Sequence, residues 1–201
     1  MGRRLSELLA IARQFLHDEF VDEDNDLSWE IDELKIYAEH CNIEISAHSP
    51  LKSRETLTTT ADSRELDVSG IENLIDVEFV EYLVDQWPRQ FRQVERYGDN
   101  IYMVLSAAPA DDGTSVYAYC NLVHTLNDTT STLNPKQELV LLDGIMAKAA
   151  AAKARYYINR VNTGSTRTYQ EMIDWSRERL ALYKEGLSGL EEVKQDYLMS
   201  T

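Results

Sequence analysis

Several residue types are scarce in this sequence, and each shortage narrows the range of possible functions. Only two cysteines, Cys41 and Cys120, occur in 201 residues, and they lie in unlike segments. This arrangement suits buried, reduced thiols better than a disulfide framework. Just 8 glycines and 4 prolines interrupt a chain that is 43% hydrophobic, so it can bury a substantial core. We expect one domain with a protruding insertion.

Basic residues are also scarce. The chain has 20 lysines and arginines against 35 acids, which gives a net charge of -15. Such a field repels phosphate backbones and anionic lipid headgroups. No stretch reaches the roughly 18 to 20 apolar residues of a membrane-spanning helix, and Met1-Gly2-Arg3-Arg4 leads into an amphipathic segment. We therefore expect no specific nucleic-acid binding, no membrane partner and no secretion, which implies synthesis in a cytoplasm.

Signatures of catalytic and cofactor sites are missing as well. The histidines lie in separate segments with no His-x-x-x-His and no Glu-x-x-His spacing, so a zinc or iron site would need unusual geometry. The sequence contains no Gly-x-Gly-x-x-Gly, no phosphate loop and no Gly-x-Ser-x-Gly elbow. Paired acids carry little information in a chain that has 35 of them. We therefore predict a protein that is not an enzyme, with no catalytic and no cofactor-binding residues.

Apolar residues at spacings of three and four predict four helices. Ser28 is a suitable N-cap for the second helix, and Pro135 suits the first turn of the third. The predicted helices span residues 5–17, 28–47, 135–161 and 168–186. Their predicted buried residues are Leu5, Leu8, Leu9, Ala12, Phe15 and Leu16; Ile31, Leu34, Ala38, Cys41 and Ile45; Leu139, Leu142, Ile145, Met146 and Ala149; and Met172, Ile173, Trp175, Leu180 and Tyr183. We expect Trp29, Trp87 and Trp175 to pack in the core or between subunits.

Between the second and third helices, alternating β-branched residues predict a β insertion over residues 54–126. The parity of the apolar positions slips near Phe79 and Val80, which predicts a β-bulge. Gly98-Asp99-Asn100 predicts the turn of a hairpin. We expect an antiparallel meander of four to six strands. The predicted fold class is therefore α+β, mainly a bundle of about four helices with the inserted meander and a flexible C-terminal tail, in which residues 1–186 form a single domain.

Charge is unevenly distributed along the chain. Nine acids and no lysine or arginine occur in residues 18–33, whereas residues 144–170 hold Lys148, Lys153, Arg155, Arg160 and Arg167 and no acid. We call the first segment the acidic pole and the second the basic pole. In a ring, each subunit presents one surface to a different surface of the next subunit, so an acidic and a basic pole on one chain favour contacts between neighbouring subunits. Ordinary solvated faces are the alternative interpretation.

The acidic segment also matches part of a calcium-binding loop. Five carboxylates occupy loop positions 1, 3, 5, 9 and 12, but Leu27 stands at the sixth position, where glycine normally makes the sharp turn. These carboxylates are Asp22, Asp24, Asp26, Glu30 and Glu33. A calcium-responsive binding module is therefore an alternative function, beside a plain acidic linker.

The order of these segments resembles the head-tail connector, or adaptor, proteins of tailed bacteriophages. The resemblance covers most of residues 5–186. It is carried by residues 27–34 (Leu-Ser-Trp-Glu-Ile-Asp-Glu-Leu), residues 56–60 (Thr-Leu-Thr-Thr-Thr), Pro88 with the arginine-rich strand, residues 101–103 leading to Ala108-Pro109, and residues 133–135 before the alanine-rich helix that reaches Ala154. The match rests on the order of these segments along the chain and on their residue composition, and it includes no catalytic signature.

The resemblance implies a structural virion protein that forms a ring, commonly of twelve copies, beneath the portal. The helices of such proteins form the ring wall, and the C-terminal segment often reaches the portal protein. Here that segment is residues 187–201, whose apolar residues Leu187, Leu190, Val193, Tyr197, Leu198 and Met199 could become ordered on binding; simple terminal fraying is the alternative.

The same resemblance implies a virion neck protein made in the cytoplasm of a host bacterium, with tail or neck proteins as further partners. DNA would pass through the ring without specific binding. Another neck or tail-completion protein is a second alternative, and the isolated chain could be a monomer or an assembly.

Overall fold

The computed structural model describes residues 2–19, 29–84, 86–158 and 166–190, which form four helices and seven strands. The helices are α1 (Leu5–Glu19), α2 (Ile31–His48), α3 (Pro135–Ile158) and α4 (Thr166–Ser188). The strands are β1 (Leu51–Thr58), β2 (Glu65–Asp67), β3 (Leu74–Glu81), β4 (Phe91–Arg92), β5 (Val94–Tyr97), β6 (Asn100–Met103) and β7 (Ser115–Leu122). This combination of four helices with antiparallel sheets confirms the α+β class.

The chain divides into two compact units, each with its own core. Within the described residues, the helical unit comprises residues 2–49 and 124–190, and the β unit comprises residues 50–123. The residue range of the β unit therefore nearly coincides with that of the insertion predicted over residues 54–126. The prediction that residues 1–186 behave as one domain stays a prediction.

In the helical unit, α3 packs against α1, α2 and α4, and most of its circumference is buried. The predicted stripes supply the core, because leucines of α1, the Leu34 to Ile45 side of α2 and the apolar residues of α3 form one cluster with Met172 and Tyr183 of α4. Burial of these apolar side chains is the main source of stability for such a bundle.

Some apolar positions lie outside that core, contrary to prediction. Phe15, Ile31 and Leu139 sit at the margins of their stripes and are 47%, 46% and 62% exposed. Periodicity identifies the buried side of a helix but not how wide that side is, which depends on its neighbours. Trp29 is buried in the core, whereas Trp87 is 90% exposed, so only the prediction of packing between subunits remains for it.

The start of α2 differs from prediction. The helix begins at Ile31, and its N-cap position is occupied by Glu30, which has extended backbone angles and makes no side-chain capping bond. Trp29 is 1% exposed, so the extended backbone just before the helix places its indole in the core. Ser28 lies outside the described residues.

The start of α3 is closed by reciprocal side-chain bonds. Asn134 Oδ1 accepts hydrogen bonds from the backbone N–H groups of Lys136 and Gln137, and Gln137 Oε1 accepts one from the N–H of Asn134. This is a capping box built from asparagine and glutamine around Pro135. It fixes the orientation of the Gln137 amide, which matters for the buried cluster described below.

The β unit contains two antiparallel sheets, not the predicted meander. One sheet has the order β1-β7-β3-β4 and the other the order β2-β6-β5. The first and last strands of the unit, β1 and β7, pair along eight residues from Leu51 opposite Leu122 to Thr58 opposite Ser115. This pairing joins the two ends of the unit, which are far apart in sequence, so no local sequence pattern predicts it.

Two local predictions in the β unit are confirmed. The register of β3 against β7 shifts between Val77 and Phe79, close to the predicted bulge, and shifts again between Leu74 and Asp76. Strands β5 and β6 form the predicted hairpin, and Gly98 in its turn has a φ of 62°. That left-handed conformation is the one glycine adopts without strain.

Both cysteines are free and buried, as predicted. Burial, with the negative charges of Glu55 and Asp76, raises the pKa of the Cys120 thiol from 9.0 to about 11. Since only the thiolate reacts, alkylation of Cys120 at pH 8 should be about a hundredfold slower in the native protein than in the urea-denatured chain. Iodoacetamide labelling followed by peptide mass spectrometry measures this ratio, and equal rates in the two states would contradict it.

Candidate interaction surfaces

A shallow groove of about 440 Å³ lies where α2, α3 and α4 meet. We call it the α3 groove, because α3 forms its floor. Its lining residues are Tyr37, His40, Ala147, Lys148, Ala151, Ala152, Arg155, Ser176 and Leu180. The walls come from helices that are distant in sequence, so the groove exists only in the folded chain.

Small side chains on α3 create the depression. Ala151 and Ala152 end at Cβ and are only partly covered. Ser176 holds α4 against this part of α3, because its hydroxyl donates a hydrogen bond of 2.9 Å to the carbonyl oxygen of Ala147. The result is an apolar floor between taller side chains from α2 and α4.

The α3 groove is basic. Lys148, Arg155 and His40 contribute to its lining, and no carboxylate stands among the described residues that line it. Lys148 and Arg155 are seven residues apart, about two helical turns, so they point to the same side of α3. Arg155 is exposed. A groove with an apolar floor and cationic edges can receive apolar side chains flanked by carboxylates.

The side chain of Lys148 is held in place by Glu44 of α2. Its ammonium group donates a 2.6 Å hydrogen bond to one oxygen of Glu44, and the Tyr183 hydroxyl donates a 2.7 Å bond to the other. Desolvation opposes ionisation of Glu44, but the hydrogen bonds from Lys148 and Tyr183 outweigh it and lower the pKa of this carboxyl. Burial raises the pKa of Tyr183, so the phenol stays protonated and continues to donate.

The solvent side of α2 has the opposite character. Asp32, Ile36, Glu39 and Ile43 follow one another at spacings of four, three and four residues and form one stripe, which we call the α2 outer face. Ile36 and Ile43 are 53% and 52% exposed, although isoleucine is among the residues most often buried. Among the described residues, Asp32 pairs with Lys35 alone, in an exposed ion pair of 3.0 Å, and such pairs contribute little.

A buried polar cluster joins the two points where the chain leaves and re-enters the helical unit. The His124 ring lies 3.0 Å from Thr132 Oγ1, 2.9 Å from the Ser49 carbonyl oxygen and 2.9 Å from Gln137 Nε2. The hydroxyl of Ser46 accepts a bond from the His124 N–H. We call these five residues the His124 cluster. Because Ser49 ends one segment and His124 begins the next, the cluster fastens both ends of the insertion.

The predicted calcium ligands are only partly within the described chain. Asp22, Asp24 and Asp26 lie outside it, while Glu30 and Glu33 are exposed at the start of α2. In the parts that the structure describes, no three metal-ligating side chains converge. The calcium interpretation stays a prediction.

The predicted portal-binding tail is shorter than expected. Leu187 and Leu190 are 8% and 7% exposed and pack in the core of the helical unit, since α4 continues to Ser188. Their assignment to a free tail is therefore wrong. Val193, Tyr197, Leu198 and Met199 lie outside the described residues, so their predicted role stays a prediction.

The predicted basic pole is divided by the fold. Lys148 and Arg155 line the α3 groove, whereas the Lys153 ammonium lies 5.7 Å from the centre of the Trp29 ring. Arg160 and the side chain of Arg167 lie outside the described part of the chain. The sequence contained a signal for both surfaces. Lys148 and Arg155 are seven residues apart, and so are Ile36 and Ile43, which places the members of each pair on one side of their helix. The packing of α2, α3 and α4 was needed to show that these sides are exposed surfaces.

Neither protein-family models nor curated proteins show a significant match to this chain. Among the helices that the structure describes, none combines the length and apolarity that crossing a membrane requires.

Proposed function

We propose that this chain is the head-tail connector subunit of a tailed bacteriophage: a structural virion protein that forms a ring beneath the portal and joins the capsid to the tail. The observation that carries the proposal is the presence of two unlike surfaces on one helical unit, the basic α3 groove and the acidic, apolar α2 outer face. A subunit with two unlike surfaces assembles by heterologous contacts, which close into rings when the rotation between copies permits.

The exposed apolar residues support an assembled protein. Large apolar side chains that stand clear of the core, Ile36, Ile43 and Trp87 among them, are expected at surfaces that another protein covers. In this proposal the four helices form the main body of the ring wall. The net charge of -15 fits a conduit through which DNA passes without specific binding.

The portal contact is assigned to the residues that follow the folded end of α4. Since Leu187 and Leu190 belong to the core, the segment proposed to bind the portal begins after Leu190. Val193, Tyr197, Leu198 and Met199 are its apolar members; Val193 stands among charged residues, and the other three are consecutive. Such a segment can bind by ordering on a partner's surface.

Truncation tests this assignment. The full chain and a chain ending at Leu190 are mixed separately with purified candidate portal rings and imaged by electron microscopy. The full chain should add a ring of density beneath the portal, and the shortened chain should not. Circular dichroism and urea unfolding verify that the shortened chain keeps its fold, because every described core residue is retained.

Two outcomes would contradict the proposal. Equal binding of the two chains would remove the tail from the portal contact. If the full chain binds no portal but attaches to isolated tails, it belongs to another position in the neck.

A further inference from the structure

The spacing of charges on the α3 groove matches the spacing of charges on the α2 outer face. Lys148 and Arg155 are seven residues apart on α3, and Asp32 and Glu39 are seven residues apart on α2. At 1.5 Å per residue, both pairs are separated by about 10.5 Å along their helix axes. Two carboxylates on one helix can therefore face two cations on another at the same time.

The apolar residues show the same match. Ile36 and Ile43 are also seven residues apart, and each follows one of the two acids by four residues on the α2 outer face. The floor of the α3 groove at Ala151 and Ala152 is the low, apolar surface into which two such side chains can fit. Packing of protruding side chains between small ones is the ordinary way in which helices approach closely.

We propose that the α2 outer face of one copy docks in the α3 groove of the next copy and forms the contact between neighbouring subunits. The inference rests on the proposed ring-forming function and names its interface. Asp32 and Glu39 face Lys148 and Arg155 across the contact, and Ile36 and Ile43 cover the alanine floor. Asp32 exchanges its exposed pair with Lys35 for the new partner. Lys148 keeps its bond to Glu44 and offers its other N–H groups to the incoming carboxylate.

Each copy can make this contact twice, once with each neighbour. Successive residues of a helix are rotated by about 100°, so the groove residue Tyr37 points away from Ile36, whereas His40 lies where the α2 outer face and the groove adjoin. The alanine floor and the cations of the groove belong to α3, so a copy that inserts its outer face into one neighbour offers these α3 residues to another. The contact is heterologous, as a ring requires.

Cross-linking of mixed variants tests the pairing of the two surfaces. Ile43→Cys and Ala152→Cys place one accessible thiol on each surface, while Cys41 and Cys120 are buried. A short bismaleimide is added to each full-length variant alone and to an equal mixture. The control is a mixture of Ala152→Cys with Thr129→Cys, which places a thiol at an exposed position outside both surfaces. The expected result is a covalent dimer in the mixture of Ile43→Cys with Ala152→Cys. This dimer should be many times more abundant than in either variant alone or in the control mixture.

Three results of this experiment would overturn the proposal. The first is no excess of dimer in the mixture over the control pair. The second is a dimer of Ile43→Cys with itself, which would show a symmetric contact. The third comes from a further mixture of Ala152→Cys with Tyr197→Cys: preferential linkage of that pair would show that the C-terminal segment occupies the groove.

Charge reversal supplies an independent measurement. Arg155→Glu and Glu39→Lys should each weaken self-association by about tenfold in sedimentation velocity, and the double variant should recover most of it. Arg177→Glu, on a solvent-exposed side chain of α4, makes the same change in net charge as Arg155→Glu and should have little effect. Equal effects of Arg155→Glu and Arg177→Glu would contradict a specific contact.

The same variants separate failure of the interface from failure of the proposed function. If rings of the unmodified chain assemble on portals but the cross-link is absent, only the interface is wrong. If the cross-link and the charge rescue are present but no portal or tail is bound, the interface stands and the connector function is wrong.

Discussion

Gly144→Ala is expected to destabilise the helical unit by about 2 to 3 kcal/mol, although alanine is normally the better helix former by about 1 kcal/mol. A Cβ at this position would lie 2.6 Å from Cys41 Sγ and 2.8 Å from Tyr183 Cε2. Both neighbours are fully buried, and the Tyr183 hydroxyl is held by Glu44. Neither can move aside without disturbing α2 or α4, so the added methyl group strains the contact between three helices.

Urea unfolding followed by circular dichroism measures the effect as a lower midpoint with an unchanged slope. Gly189→Ala is the matched control, because its Cβ would meet no atom closer than 3.4 Å, and it should change the free energy of unfolding by less than about 0.5 kcal/mol. Cys41→Ala should relieve part of the strain, so the double variant Cys41→Ala, Gly144→Ala should be more stable than the sum of the single effects predicts. A Gly144→Ala protein as stable as the unmodified chain would show that the three helices are not in close contact here.

His124→Ala is expected to lower the free energy of unfolding by about 3 kcal/mol. The substitution leaves a cavity and removes the ring that lies within hydrogen-bonding distance of Thr132 and Gln137. Gln137 is 2% exposed and fixed by the capping box of α3, so without the ring its amide nitrogen keeps only the longer bonds of 3.3 and 3.2 Å to Ser49 and gains no water in exchange. The cavity and the lost buried hydrogen bonds together account for the expected cost.

The control for this experiment is His40→Ala, an exposed position on α2 that should change stability by less than about 0.5 kcal/mol. Native-state hydrogen exchange gives a second readout. The backbone N–H of His124 bonds to Ser46 Oγ, and its exchange should become faster in His124→Ala while amides in the centre of β7 change little. A loss below about 1 kcal/mol would mean that the His124 cluster does not fasten the ends of the insertion.

The sequence predicted the elements better than their partners. Four helices and the β insertion follow from local periodicity, because a stripe at spacings of three and four and an alternation of two are set within a few residues. The same reasoning placed the start of α2 too early, because Trp29 precedes the helix and is buried in the core instead of forming its first turn. Leu139 was wrongly placed in the core, since α3 is covered by three helices whose positions no local pattern gives.

The strand order and the candidate interface depend on contacts between distant residues. Pairing of β1 with β7 replaced the expected meander, and it joins residues more than fifty positions apart. The α3 groove likewise combines Tyr37, Ala152 and Leu180. The basic character of the groove could be predicted from the cluster of lysines and arginines in residues 144–170, but the shape of the groove could not. The residues of one surface become neighbours only after α2, α3 and α4 have packed.

The closed base of the insertion has a consequence for how such a protein can evolve. Ser49 and His124 lie side by side, and the strands that follow and precede them pair along their whole length. The helical unit therefore holds together the two residues between which the insertion begins and ends. Because the entropic cost of closing a loop rises only slowly with its length, hairpins and turns beyond β1 and β7 can be lengthened, shortened or exchanged between lineages while the helices that carry the proposed subunit contact stay as they are.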